Sequence, residues 1–551
     1  MSLIFLYSCL IIIFTAPYSL VLYNQKKINT YSYSKNIIFG IIVISFIAIL
    51  INFFFPLNIY ICSIIPLISI LIIFKYKKKF FNINFLKIIL IQGTVLTLLL
   101  TESNVYRPDA GLYHLPYIGI LNSEKIIFGL SNLHTRYAHT SIIQYYAAIN
   151  NNFIFQNNGI VFSQALVASS IITNFLTQIN LYIKKKNFNF HFFFLFFIFI
   201  FIIYKMNRYS EYGNDAPAHF LVFFLISEIL RINHNFNVKN YANNLVLSLF
   251  IVQSKLTLIF IVMINLINLN KIKLVDLILD RRFIFTTFFL VIWLTKNMIL
   301  SGCLLYPIKS TCFDKFSWTN LERVDKVSIE SEAWTKGWSN KNPTNKISQN
   351  DFIKKFNWVD SWTKVHFVFI LKKLIPYIVF CCLIFLILKI NSENKKFLHF
   401  QKEYFYYFII LLICFIIWYL KSPLFRYGYS YLICIIAFSF SFFCSKIEII
   451  NNKKYSLNII LVVCIIIFLG KNLIRIIDSE NNYNNYPWPK YYSMDNQNIL
   501  TNFNYITLNN LDIIIPLNGY CMYVKKVCSH YSITEPLKVK KKYNFYIIDF
   551  K

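Results

Sequence analysis

Apolar residues recur along the chain in long blocks, at about 2–23, 37–55, 57–74, 86–101, 160–182, 188–204, 217–230, 244–269, 283–300, 366–388, 404–420, 427–445 and 456–470. Most approach the roughly 17–25 residues that a helix needs to cross a hydrocarbon core. The first block has no basic flank before it and no small-residue cleavage site, so it reads as a retained span and not a removed signal. Between the blocks lie short clusters of Lys and Arg: "NQKKINTYSYSK", "KYKKK", "KKK" at 184–186, "NKIK…DRR", "KINSENKK" and "KIEIINNKK". Basic loops stay on the cytoplasmic side, so alternation puts residues 102–159 on the opposite, outer side.

One block breaks the alternation. Block 244–269 contains "QSKLT", with Lys255 near its centre. As a single span it would carry "DRR" at 280–282 to the outside; as a pair of short helices that enters and returns, it leaves every basic cluster inside. The hairpin is the preferred reading, with Lys255 lining a polar cavity and Glu228 a candidate partner. The expected fold class is an all-α polytopic membrane protein of about 12–14 transmembrane segments. Amphipathic helices are expected in its outer loops. Residues 1–472 form the membrane domain, with long outer loops at 102–159 and 301–365. Residues 473–551, with strand-like "YITL" and "LDIII", are expected to form a small extracytoplasmic α/β tail.

Composition narrows the class further. The chain is 57% hydrophobic and 19% aromatic, with a mean hydropathy of +0.53, which excludes a soluble globular protein. The net charge of +31 invites a nucleic-acid partner. Its Lys and Arg, however, sit between apolar blocks and not on a folded polar domain, so the bilayer is the expected partner and nucleic acid is not.

Candidate chemistry gathers in the outer loops. The stretch "RPDAGLYHLPYIGIL" holds Arg107, Asp109, Tyr113 and His114, and its continuation adds Glu124, Lys125, His134, Arg136 and His139. Apolar positions Ile126, Ile127, Leu130, Ile142, Ile143 and Tyr146 follow at helical spacing, as expected of helices lying along the membrane surface. A second outer loop, "YKMNRYSEYGNDAPAHF", carries Arg208, Glu211, Asp215 and His219; a third, "KSPLFRYGYS", carries Arg426. A carboxylate beside Arg and His suits proton abstraction from an acceptor hydroxyl, or holding a divalent ion against a phosphate. Arg supplies the bidentate fork that phosphate recognition favours.

The segment "PDAGLYHLPYIGIL" resembles the first outer loop of GT-C glycosyltransferases, integral-membrane enzymes that use polyprenyl-phosphate or polyprenyl-diphosphate sugar donors. Asp109, Ala110, Tyr113, His114 and Pro116 match an Asp-Ala-x-x-Tyr-His-x-Pro motif found in many bacterial members. The resemblance implies that Asp109 is the catalytic base or a metal-site carboxylate, that Asp215 is a second outer acidic residue, and that Arg426 in "SPLFRYG" meets the donor phosphate. It also extends to a group of bacterial multispanning proteins with the same first loop. The expected catalytic set is Asp109, His114 and Asp215; the expected substrate-binding set is Arg107, Tyr113, His134, Arg136, His139, Arg208, Lys255 and Arg426. Because no adjacent Asp-x-Asp pair stands in the first loop, a divalent cation such as magnesium or manganese stays an open cofactor.

Structural readings compete at each position. Asp109 and Asp215 each precede a helical run and suit an N-cap. Arg426 and Lys421 suit snorkelling to headgroups. The three histidines lack zinc-site spacing. Cys303 with Cys312 and Cys521 with Cys528 are close pairs in outer segments, where disulfides form, whereas Cys62, Cys381, Cys414 and Cys464 lie within spans as small apolar fillers. The functional expectation is sugar transfer from a polyprenyl-phosphate-linked donor to an envelope glycan, lipid or protein, at the periplasmic face of a bacterial inner membrane. A polysaccharide polymerase or ligase, a lipid-linked-saccharide flippase, and a non-catalytic envelope assembly protein are the alternatives.

Overall fold

The computed structural model describes residues 2–23, 30–103, 109–139, 141–206, 213, 215–232, 236–338, 347–390, 402–447, 451–478, 503–517, 520–529 and 537–550. Helices α1 (Ser2–Thr15), α2 (Thr30–Phe54), α3 (Ile59–Lys75) and α4 (Ile83–Leu100) precede the segment that holds α5 (Leu115–Ser123) and α6 (Ile142–Ile149). Next come α7 (Gly159–Lys184), α8 (Phe190–Lys205), α9 (Asp215–Ile232), α10 (Val238–Ser254), a 3-10 helix at Leu256–Lys271 and α11 (Arg281–Ser301). After α12 (Leu321–Thr335), the last long helices are α13 (Val368–Lys389), α14 (Lys402–Lys421), α15 (Phe425–Ser445) and α16 (Asn451–Ile477).

The apolar blocks of the sequence are helical, block 244–269 as two helices. Among the described residues nine helices are long and apolar enough to cross a membrane, and Ile59–Lys75, Phe190–Lys205 and Leu256–Lys271 are apolar but shorter. Helices are the expected outcome, since hydrocarbon offers no partner for an unbonded N–H or C=O and a helix satisfies its own. Helices α7 and α8 form the centre: the long apolar window of α7 is 94% buried, and every residue of α8 from Phe190 to Ile203 is buried. Outer helices turn apolar side chains outward instead, among them Leu71, Phe74, Val291, Ile459 and Ile474. An apolar surface that extensive is the mark of a lipid-facing protein.

The break at Lys255 is real. Its backbone is extended (φ −154°, ψ 109°) between α10 and the 3-10 helix, and Asn265 donates to Ser248 across the pair at 2.8 Å. The two arms therefore fold back on each other as a hairpin.

Basic side chains tie both ends of the bundle. Basic segments meet at one end, where the Tyr33 hydroxyl donates to the Lys79 carbonyl, Arg282 to the Leu22 carbonyl and Lys271 to Glu403. At the opposite end Arg475 donates to the carbonyls of Leu98 and Thr101, joining the close of α16 to the close of α4.

One expectation needs correction. The helices of the first outer loop do not lie exposed along a surface: Leu115 to Asn122 of α5 and all of α6 are buried, because the bundle covers one side and the C-terminal tail the other. The tail expected at 473–551 begins with the close of α16, and its described residues from 503 onward hold the strands β1 (Phe503–Leu508), β2 (Leu511–Pro516), β3 (Val527–Cys528), β4 (Leu537–Lys542) and β5 (Phe545–Phe550). Strands β1 and β2 pair antiparallel with Phe503 opposite Pro516, β3 joins β2 in parallel, and β4 and β5 form a separate antiparallel pair.

Candidate functional site

Asp109 opens a π-helical turn, Ala110–His114, that leads into α5. Such turns are rare and gather at functional sites. The Asp109 backbone is helical (φ −54°, ψ −32°) and its side chain makes no capping hydrogen bond, whereas a cap takes an extended backbone and spends its oxygen on the helix start. The Asp109 carboxylate instead accepts from Arg426 Nη1 at 3.2 Å. Arg426 Nε lies 3.8 Å from Asp215 Oδ2, and the ammonium of Lys255 donates to the other oxygen of Asp215. The ionic chain runs Asp109–Arg426–Asp215–Lys255, joining three separate segments of the chain and the hairpin break.

Local structure explains each placement. Asp215 is the first residue of α9, so its carboxylate faces the positive end of that helix. Lys255 leaves the helix pair where the backbone opens, and it also donates to the Arg426 carbonyl at 3.2 Å. His219 reaches the same carbonyl through Nε2 at 2.9 Å and Ser430 through Nδ1 at 2.7 Å. A carbonyl only accepts, so Nε2 carries the proton and Nδ1 accepts from the Ser430 hydroxyl. Aromatic rings flank the guanidinium, with Trp334 at 5.2 Å and Tyr427 at 5.3 Å.

Exposure is graded across the site: the Arg426 and Asp109 side chains are 43% and 40% exposed, while Asp215 is 28% and Lys255 7% exposed. One side of the ion chain is therefore open at the surface of the bundle and the other is anchored within it. His114 is buried beside it, its Nδ1 3.3 Å from Gln144 Nε2. Burial lowers its pKa to about 4, against the pull of Asp109 and Asp215. Burial, reinforced by Asp109, raises the Tyr113 hydroxyl well above its ordinary value. Near neutral pH both are uncharged hydrogen-bonding groups.

Other expected site residues are placed differently. Arg136 acts electrostatically on Tyr113 and Tyr427 and belongs to the rim. His134 is fully buried, and its Nδ1 accepts from the Arg136 N–H as a cap. His139 packs on Tyr306, with ring centroids 5.1 Å apart, in a cluster with Cys303. Both histidines are buried among aromatic neighbours, His134 with its ring centroid 6.3 Å from that of Tyr113. Glu228 is not the partner of Lys255; it binds Lys35 and Arg231 toward the far end of α9. Arg107, Arg208 and Glu211 lie outside the described residues. The bonds Cys303–Cys312 and Cys521–Cys528 are formed. His219, named among the loop's polar groups but not in the expected site sets, joins the site, as do Trp334 and Tyr427, which were not singled out although Tyr427 stands beside Arg426.

The donor set does not suit a divalent ion. Arg426 already spans the two carboxylates and Lys255 takes an oxygen of Asp215, and among the described residues no three His, Cys, Asp or Glu side chains cluster as ligands. The arrangement instead offers two cations and two carboxylates at an open face, able to hold an anionic group while a carboxylate handles a proton.

Fold and site together define a multi-helix protein with an ionic centre at one end of its bundle. Residues 1–433 match the family described as "Domain of unknown function (DUF8201)", and the chain belongs to that family. The match takes in Asp109, Asp215, Lys255 and Arg426 but not the tail strands. No curated protein and no solved structure matches the chain.

Proposed function

We propose that this chain is a membrane-embedded glycosyltransferase of GT-C type, moving a sugar from a polyprenyl-phosphate-linked donor to a hydroxyl acceptor of the cell envelope. In this reading the end of the bundle away from the basic loops is the periplasmic face of a bacterial inner membrane. The observation that carries it is the 3.2 Å contact between Asp109 and Arg426, residues 317 positions apart.

The donor phosphate takes the guanidinium fork of Arg426, with Lys255 as the second cation. Arg426 exchanges one anion for another, which frees the Asp109 carboxylate. Asp109 then accepts the proton of the acceptor hydroxyl as its oxygen bonds to the anomeric carbon. The bond from that carbon to the phosphate oxygen breaks, and the polyprenyl phosphate leaves with the electron pair. His114, neutral, orients the acceptor, and His219 holds the Arg426 backbone so that its fork points outward.

Purified chain in nanodiscs, supplied with a series of polyprenyl-phosphate sugars and an envelope extract as acceptor, tests the reading. Wild type should transfer sugar from one of them, and Asp109→Asn should lower transfer by at least about a hundredfold, the scale of a general base, without loss of fold. Equal turnover by Asp109→Asn would overturn it.

A further inference from the structure

The turn that carries Asp109 is held from outside the bundle, by a segment far along the chain. The Met522 N–H donates to the Gly111 carbonyl at 2.9 Å. A Cβ on Gly111 would lie 2.4 Å from Met522 Sδ and 3.1 Å from Tyr520 Cβ, and one on Gly119 would lie 2.0 Å from the Val524 carbonyl oxygen. Two glycines of the loop are thus fitted to this segment. The Tyr523 hydroxyl donates to Asn122 Oδ1 at 3.0 Å and accepts from Asn151 at 2.7 Å. Tyr137 donates to the Cys528 carbonyl at 2.6 Å. The Cys521–Cys528 bond joins the two ends of the segment.

Two details link this docking to Asp109. A π-helical turn redirects backbone hydrogen bonds, and the Gly111 carbonyl within that turn is satisfied by the tail. Met522 adopts φ +53°, a left-handed conformation that a non-glycine residue keeps only when its surroundings over-determine it. Without the segment, an ordinary α-helical start with Asp109 as its cap is the competing arrangement.

We propose that residues 520–528, stapled by Cys521–Cys528, are the positioning element of the Asp109–Arg426 site: Met522, seated on Gly111, holds the π-helical turn that keeps Asp109 off its cap and on Arg426. The catalytic consequence rests on the glycosyltransferase reading; the positioning itself does not. Met522 touches no reacting group and acts through Gly111.

Hydrogen exchange read by mass spectrometry on the full chain tests this. Met522→Ala, and the paired Cys521→Ser/Cys528→Ser, should raise exchange across residues 109–114 by about tenfold or more while α7 stays protected. Met522→Leu, close in volume, should stay near wild type. Gly111→Ala should loosen the same turn, and combined with Met522→Ala the effects should fall short of the product of the singles, because the added methyl meets Met522 itself. In the transfer assay, Met522→Ala should lower kcat with little change in KM. Unchanged exchange at 109–114 in both Met522→Ala and the paired serine variant would overturn the proposal, as would loss of protection throughout the bundle in Met522→Ala. If exchange rises as expected and Asp109→Asn still transfers sugar at the wild-type rate, the positioning element stands and the glycosyltransferase reading falls.

Discussion

Helix α9 carries a carboxylate toward each end, Asp215 at its start and Glu228 in its closing turns, about 20 Å apart by helical rise. Their surroundings are opposite. Glu228 is 1% exposed, with Lys35 on one oxygen and the Arg231 fork on both, at 3.1 and 2.7 Å. Lys35 in turn sits 4.7 Å over the ring of Tyr23. Asp215 is partly exposed and shares Arg426 with the still more exposed Asp109. The ion-pair chemistry is the same, but burial changes what it can do. A carboxylate whose oxygens are all bonded in a dry site cannot release its partners without leaving bare charges behind. At a solvent-facing edge a carboxylate can trade partners, because water screens the exchange. The first is a staple and the second a place where an anion can enter.

That contrast can be broken by experiment, most forcefully at the sealed end. Glu228→Ala leaves Lys35 and Arg231 uncompensated and should cost about 3–5 kcal/mol of stability, read from thermal or denaturant unfolding in detergent. A loss under about 1 kcal/mol would erase the distinction. At the open end, if the glycosyltransferase proposal holds, the expected effect moves to activity: Asp215→Asn should lower transfer by about a hundredfold and stability by about 1 kcal/mol or less. Unfolding on the scale of Glu228→Ala would make Asp215 a second staple.

Acid should act at the open end through His114. Its folded pKa, about 4, lies below the ordinary value near 6.5, so between those values the unfolded state binds more protons than the folded one. Stability is full above about pH 6.5 and declines toward pH 4, by about 2 kcal/mol at pH 5. Comparing melting at pH 7 and pH 5 for wild type and His114→Gln isolates this; an equal acid loss in both removes His114 as its source. The smallest effect belongs to the exposed pair Lys271–Glu403 at the basic end, where Lys271→Ala should change stability by about 0.5 kcal/mol or less.

Much of this was legible one residue at a time. The apolar blocks marked the helices because spanning length and hydropathy are local properties, and "QSKLT" marked the hairpin because a lysine at that depth needs an exit. Asp109, Asp215 and Arg426 were identifiable as polar groups of three outer loops. Pairings were harder to read. Lys255 was matched to Glu228, whereas it meets Asp215, since two carboxylates of one helix look alike until the rotation and depth of the neighbouring helices are known. The burial of His134 and His139, both expected to bind substrate, was not legible, because a linear segment does not reveal which of its histidines the fold will bury.

The amino-acid order alone determined that this chain forms a bundle of apolar helices with basic loops gathered at one end, because both follow from how each short stretch partitions between hydrocarbon and water. Tertiary structure decided which charges become a staple and which stay exchangeable, and that Asp109 meets Arg426 instead of capping its own helix. Those outcomes depend on burial and on contacts between residues hundreds of positions apart, such as Met522 on Gly111, and burial is a property of the packed assembly, not of any segment in it.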